Sequence, residues 1–218
     1  TLKQGIVSIT FDDGWQSVYD KAIPILDAYH YATTQYIISD AATKRVPGYM
    51  DLETVKKLEA TGHEIGSHTL RHCDLTGLSE SEVKRNAKES KAQLEKADLG
   101  PIVSLAYPYG RYDETIERVI GQHYPLMRSS DTGYNDRYYD SRNIRSMVVQ
   151  ASTTDKEFES WLTYAQEHKL WLVIVYHRVD EHGDYNVAST RLTKQLDMIK
   201  NSKLKVMPLG KAAESIRR

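Results

Sequence analysis

The sequence predicts an α/β fold, a compact (β/α) barrel that is shortened or distorted relative to the eightfold form. Three observations carry this prediction. Strand-like and helix-like segments alternate nearly throughout the 218 residues, the pattern of parallel strands wrapped by helices. The most apolar run, Leu170-Trp171-Leu172-Val173-Ile174-Val175-Tyr176, has no polar face, as a strand buried on both sides requires. About seven or eight strand–helix units can be counted in 218 residues, fewer residues than the about 250 that a full eightfold barrel typically takes.

Taken in order, Gly5 to Phe11 is a β-rich run that stops at Asp12-Asp13-Gly14. Val18, Ala22, Leu26 and Tyr29 follow helical spacing, with Pro24 a kink or restart point. Thr33 to Ile38 is a second strand. Leu52, Val55 and Leu58 mark a helix capped by Asp51, and His63 to Gly66 a short strand. Ser79 and Glu82 form a capping box that opens a long helix carrying Val83, Ala87, Leu94 and Ala97. Ile102 to Ala106 is the next strand, ended by Pro108 and Gly110, and Ile116, Val119 and Ile120 give a helix. Pro125 to Ser129 is a weak strand and Ile144 to Val149 a better one. Phe158, Trp161, Leu162 and Ala165 make an amphipathic helix. After the Leu170 to Tyr176 strand, Leu192, Leu196 and Ile199 form another helix, and Lys205 to Pro208 a last short strand. Thr43 to Met50 and Gly133 to Asn143 read as loops. The second, with Tyr134, Tyr138 and Tyr139, is expected to form part of a groove wall.

Composition removes several function classes. Lys plus Arg total 29 against 30 for Asp plus Glu, so there is no basic excess of the kind that nucleic-acid binders show. No apolar run approaches the roughly 18 residues that span a bilayer. Thr1-Leu2-Lys3-Gln4 shows no signal-peptide pattern, and the chain has no initiator Met, as expected of a mature or trimmed form. The single cysteine, Cys73, excludes an intrachain disulfide and reads as a small buried residue. Fifteen tyrosines against two phenylalanines suit surfaces that stack on sugar rings while hydrogen-bonding at the edge, or simply a tyrosine-rich exterior.

The chemically interesting residues fall at the C-terminal ends of predicted strands, which share one face in such a barrel and carry its active sites. Asp12-Asp13 ends the first strand. Neighbouring strand residues point to opposite sides, so one carboxylate as metal ligand and the other as base is a natural division, although Asp-Asp-Gly alone reads as a turn. His68 and His72 follow the third strand. Their four-residue spacing stacks two imidazoles on one helical face, which suits a transition metal but is weak evidence alone. His177 ends the most apolar strand and suits a general acid, because its ordinary pKa of about 6.5 lies near neutrality.

Together these segments resemble the polysaccharide deacetylase family, the NodB-homology or carbohydrate esterase family 4 group. Thr10-Phe11-Asp12-Asp13-Gly14 matches its first motif, His68-Thr69-Leu70-Arg71-His72 its second, Tyr107-Pro108-Tyr109-Gly110 most of its third, and Leu172 to His177 its last. The resemblance covers nearly the whole chain and implies a distorted (β/α)7-type barrel, with residues 1–218 forming a single catalytic domain. It implies a metal-dependent hydrolase that removes N-acetyl groups from an N-acetylglucosamine-containing glycan. Asp13, His68 and His72 would bind a divalent metal, zinc first, with cobalt, nickel or manganese as alternatives. Asp12 would be the general base, the Tyr109 backbone N–H an oxyanion donor, and His177 the acid. An acetylated glycan partner, no nucleic acid, a monomer and an extracytoplasmic location follow from the same resemblance.

Two departures stand out. The third motif usually begins with an Arg that pairs with the catalytic Asp, and Ala106 stands there. Arg128 at the end of the next predicted strand is the first candidate to supply that charge, and Arg145 a weaker one. The fourth motif, which tunes the catalytic His, is not evident, and Asp131 is the nearest acidic candidate. Ala-Tyr-Pro-Tyr-Gly further resembles the subgroup acting on poly-N-acetylglucosamine. Alternative activities are an O-acetyl esterase acting on acetylxylan and a non-catalytic carbohydrate-binding relative.

Overall fold

A computed structural model describes residues 1–217. Its elements run β1 (Ile6–Phe11), a π turn (Val18–Ala22), α1 (Ile23–Ala28), β2 (Thr34–Ile37), α2 (Ser39–Thr43), α3 (Leu52–Ala60), β3 (Glu64–Ser67), α4 (Glu80–Lys96), β4 (Ser104–Ala106), α5 (Glu114–Ile120), β5 (Leu126–Thr132), β6 (Ile144–Val148), α6 (Asp155–His168), β7 (Trp171–Tyr176), β8 (Arg178–Val179), β9 (Asn186–Val187), α7 (Ser189–Ser202), β10 (Lys205–Val206) and α8 (Leu209–Arg217). Strands β1 to β7 lie side by side in sequence order, each parallel to its neighbour. The sheet closes on itself where β7 pairs with β1, from Ile6↔Trp171 to Phe11↔Tyr176. The distortion sits beside β1. Its upper end pairs with β2 at Thr10 and Phe11, and its lower end pairs with β10 at Ile6 and Val7.

Alternation along the strands builds two cores. Val7, Ile9 and Phe11 belong to a large cluster shared with the helices, including Leu94, Phe158, Leu162 and Leu196. Ile6, Tyr36, Ala106, Ile144, Trp171 and Val173 form a second cluster inside the barrel. The interior is partly polar: Trp171 Nε1 donates to Ser8 Oγ at 2.9 Å. The helices begin where their caps predict. Glu82 reaches back to the Ser79 N–H at 2.9 Å, completing the capping box of α4, and Asp51 Oδ1 accepts from the Thr54 N–H at 2.9 Å. Pro24 sits in the first turn of α1, where the preceding π turn gives way to a new helix.

Several expectations change. α2 falls at the boundary of the second strand and the Thr43–Met50 loop, too short to show a helical period. α8 follows the last strand, and its Leu209, Ala212 and Ala213 plug the lower end of the barrel. Glu64 holds its first turn, accepting from the Gly210 N–H at 2.9 Å. β5 is not the weak strand expected from Pro125 to Ser129; it runs on to Thr132. The Gly133–Asn143 segment is a loop, but no groove wall. It replaces the β5–β6 helix and descends to the start of β7, where Asn135 bridges Trp171 and the Tyr139 ring meets the Trp171 edge. Among the described residues no helix is long and apolar enough to cross a membrane.

Gly66 in β3 faces the Tyr36 ring so closely that a Cβ would lie 2.5 Å from Tyr36 Cε1 and 2.9 Å from Ser104 Oγ. Gly66→Val is expected to destabilise the fold by about 1–3 kcal/mol. Urea unfolding checks this, with a lower midpoint and an unchanged slope expected; an unchanged midpoint would mean that the interior yields.

Candidate metal and catalytic site

The alternation that fills the barrel also fills its mouth. Ser8, Thr10 and Asp12 share one side of β1, and Gly66 and His68 one side of β3. Leu126 and Arg128 share one side of β5, while Trp171, Val173, Val175 and His177 follow the same step along β7. Asp12, His68, Arg128 and His177 therefore converge: Asp12 Oδ2 lies 3.9 Å from His68 Nε2 and 3.8 Å from His177 Nε2.

Asp13 reaches the same site by a different route. On a continuing strand it would point away, but β1 ends at Phe11, and Asp13 (φ 74°) and Gly14 (φ 79°) are both left-handed. The chain turns there, bringing both carboxylates to one place. Asp13 Oδ1 stands 3.4 Å from His68 Nε2 and 3.3 Å from His72 Nε2. The expected helical face for the two histidines is absent. His68 to His72 is a tight turn with left-handed Thr69 (φ 67°) and His72 (φ 55°), held by the His72 N–H donating to Thr69 Oγ1 at 3.1 Å. It is this turn, not a helix, that brings the two rings within 4.7 Å of one another.

These three side chains fit a metal ion. Their ligand atoms lie within 4.8 Å of one another. His68 Nδ1 donates to the Ala106 carbonyl at 2.9 Å, which fixes the ring and turns Nε2 inward toward Asp13. Asp13 Oδ1 is buried and accepts no hydrogen bond among the described residues. Burial and the His68 charge hold His72 down at about 4, so its ring is neutral and its lone pair available near pH 7. Burial would lift the Asp13 carboxyl; His68, His177 and His72 outweigh it, and the group stays ionised. Burial lowers the His68 pKa, but Asp12 and Asp13 outweigh it and raise it, so a cation would displace the Nε2 proton; two imidazole nitrogens and one carboxylate oxygen then make a borderline donor set that suits zinc.

Arg128 contacts Asp12. Its side chain is fully buried, and Nη2 donates to both Asp12 oxygens at 2.5 Å. The guanidinium carbon lies 5.2 Å from the centre of the Tyr36 ring. Arg128 is also in register with Ala106 across the β4–β5 pair, so the charge missing from one strand stands on the next. Burial would raise the Asp12 pKa, but Arg128, then His68 and His177, hold it below the usual carboxylate range. Arg145 is elsewhere: its side chain packs against Gly133, and its backbone N–H donates to Asn135.

Asp131 does not meet His177. It accepts from the Tyr112 hydroxyl at 2.6 Å and from Asn143 Nδ2 at 2.9 Å, because β5 continues past the barrel mouth and carries it outward. His177 Nδ1 is buried without a hydrogen-bond partner among the described residues. Burial lowers the His177 pKa, against the pull of Asp12 and Asp13. Tyr109 is exposed and left-handed (φ 58°), with its ring 4.6 Å from that of His72. Gly110 beside it leaves no room for a side chain, since a Cβ would lie 2.5 Å from Ser130.

A cleft of about 560 Å³ opens over Asp12, His68 and His177, walled by Tyr109, Trp161 and Tyr185. A second, of about 460 Å³, continues beyond Asp13 and His72 along Trp15, Tyr49 and Arg71. Trp15, Tyr49 and Tyr185 are absent from the sequence-derived site. Trp15 carried a usable signal, an indole directly after the Asp-Asp-Gly turn. Tyr49 and Tyr185 lie in connecting segments without periodicity. A larger cavity, about 660 Å³, lies at the opposite end of the barrel between Glu64, Pro125 and α8.

The polysaccharide deacetylase family profile matches residues 1–125. YxkH of Bacillus subtilis is 31% identical over 157 residues, 72% of this chain and 56% of its own length. The peptidoglycan-N-acetylglucosamine deacetylase PgdA of Listeria monocytogenes is 29% identical over 152 residues, 68% of this chain and 30% of its own length. The chain thus spans little more than half of the first relative and under a third of the second. Among solved structures, the chitin deacetylase of Colletotrichum lindemuthianum superposes with a TM-score of 0.69 at 19% identity, covering 96% of this chain and 88% of that one. That likeness is one of fold.

Removing the guanidinium leaves a buried carboxylate alone. Arg128→Met is expected to cost roughly 3–5 kcal/mol at pH 7. The cost should shrink toward pH 4. Wild-type Asp12 has a folded pKa below its unfolded one, so its stabilisation is lost as pH falls, whereas in the variant its pKa rises and protonation relieves the penalty. Urea titrations of both proteins at the two pH values check this; a pH-independent difference would show that Arg128 does not act on Asp12.

Proposed function

Because this chain belongs to the polysaccharide deacetylase family, we propose that it is a metal-dependent hydrolase removing N-acetyl groups from an N-acetylglucosamine-containing glycan. The substrate is of the chitin, poly-N-acetylglucosamine or peptidoglycan type. The observation that carries this reading is the adjacency of two functions at one barrel mouth. Asp13, His68 and His72 gather three ligand atoms, and beside them lies a carboxylate, Asp12, already paired to a buried arginine. The two clefts that meet at Asp13 and His72 suit an extended chain with an acetamido group at their junction. The match to PgdA supports an amino-sugar substrate. On this reading residues 1–218 form one catalytic domain that acts as a monomer outside the cytoplasm.

Asp13, His68 and His72 would hold the cation. A divalent ion bound there, zinc first, supplies Lewis acidity that polarises the amide carbonyl and acidifies water. The protein's own groups do the rest. Asp12, ionised by Arg128, accepts a proton from the attacking water. The Tyr109 backbone N–H donates to the oxygen that gains charge as the carbonyl carbon becomes tetrahedral. His177 gives a proton to the amide nitrogen as the C–N bond breaks, so that a neutral amine and acetic acid leave; the proton taken up by Asp12 then passes back to His177, and the acid ionises to acetate in solution. A histidine whose pKa is lowered by burial is a stronger acid once charged, which favours transfer to a basic amine. Arg128 orients Asp12 and keeps it charged, in place of an arginine at position 106.

Acetate release from chitooligosaccharides, poly-N-acetylglucosamine, peptidoglycan and acetylxylan, with Zn2+ added, tests the reading; release from the N-acetylated glycans is expected. Release from acetylxylan alone would make the enzyme an O-acetyl esterase, and none from any substrate by metal-loaded protein would contradict catalysis. Asp12→Asn is expected to retain the metal while losing roughly 10²–10⁴-fold in turnover. Turnover equal to wild type in metal-loaded Asp12→Asn would remove Asp12 as the base.

A further inference from the structure

Trp15 makes a contact that the proposed mechanism does not use. Its indole N–H donates to Asp13 Oδ2 at 2.8 Å. The other oxygen, Oδ1, is the one that faces both histidine nitrogens. The two oxygens of one carboxylate are thus divided, one bound to an indole and one left for the ligand cluster. A carboxylate at the end of two rotatable bonds has no such preference by itself, and needs an outside donor to acquire it.

The indole is itself held. The Tyr49 ring stacks on it at 4.3 Å with planes 25° apart, and the Arg178 guanidinium lies 3.7 Å from the ring centre. Two groups so close to one centroid occupy opposite faces, so the ring is clamped. Tyr49 is anchored by the bridge between Trp15 and Tyr49 and by the Met50 N–H donating to the Gly14 carbonyl at 2.8 Å. Arg178 directly follows His177, and Glu181 pairs with it at 3.4 Å. The clamp therefore joins the turn after β1 to the end of β7, the two places that carry Asp13 and His177.

We infer that Trp15 is a positioning residue for the metal site: its N–H pins Asp13 Oδ2 so that Oδ1 alone is presented to the cation, and Tyr49 and Arg178 fix the indole that does so. The inference rests on Asp13, His68 and His72 being the metal ligands.

Titrating the metal-free full chain with Zn2+ alone, against a competing chelator, tests it without reference to turnover. Trp15→Phe keeps a stackable six-membered ring and removes the N–H together with the five-membered part of the indole. It is expected to weaken Zn2+ binding by roughly 10–100-fold, while the melting temperature of the metal-free protein stays near that of wild type. Arg178→Met loosens the clamp with Trp15 intact and is expected to weaken Zn2+ several-fold. Trp15→Phe binding Zn2+ as tightly as wild type would overturn the inference and leave the metal site standing. Should Trp15→Phe fail to fold, wild-type affinity in Arg178→Met would overturn it. A wild-type chain that binds no Zn2+ would overturn the metal-site reading itself, and this inference with it.

Discussion

An arginine and an aspartate meet at the mouth of this barrel almost out of reach of water. Arg128 is fully buried, and its Nη2 spans both oxygens of Asp12. Desolvating two charges is expensive, and their attraction repays it only when the geometry is good. Here the repayment is incomplete. Arg128 Nε and Nη1 have no hydrogen-bond partner among the described residues, and the Tyr36 ring offers only a polarisable face. Such a pair is a poor device for stability. It is a good device for keeping a carboxylate ionised and aimed in a place where burial would otherwise neutralise it.

The surrounding site follows from that constraint. With Asp12 committed inward to Arg128, the carboxylate proposed as a metal ligand is that of the next residue, and a left-handed backbone at Asp13 and Gly14 turns that side chain into the same space. Asp13 then needs its own restraint, which the Trp15 N–H supplies. The histidine turn is equally bent, and its first ring is locked by the carbonyl of Ala106, the residue whose small side chain leaves room inside the barrel for Arg128.

Much of this was legible in the chain itself, for physical reasons. The strands show because burial on both faces makes them uniformly apolar, and alternation carries Asp12, His68 and His177 to one mouth once the barrel is accepted. Ala106 pointed to a displaced cation, and the register that puts Arg128 beside it accounts for the displacement. What was not legible depends on backbone turns and long-range packing. Four-residue spacing of His68 and His72 reads as a helix, while the chain there has left-handed residues. Asp131 is near His177 only if β5 stops early; its extension to Thr132 carries Asp131 to Tyr112 and Asn143. α8 had a readable period, with Leu209, Ala212, Ala213 and Ile216 at i, i+3, i+4 and i+7; what no local pattern showed is that this face closes the barrel floor.

In the proposed mechanism the Arg128 guanidinium does the work that an arginine at position 106 would do from the neighbouring strand. Moving the charge back tests this directly. The measurement is kcat/KM for acetate release by Arg128→Ala and by the double variant Ala106→Arg/Arg128→Ala, on whichever N-acetylated glycan the wild type turns over. The single variant should lose most activity and the double variant recover a large part of it, with the acid limb of its pH profile returned toward wild type. A single variant as active as wild type, or a folded double variant no better than the single one, would contradict it.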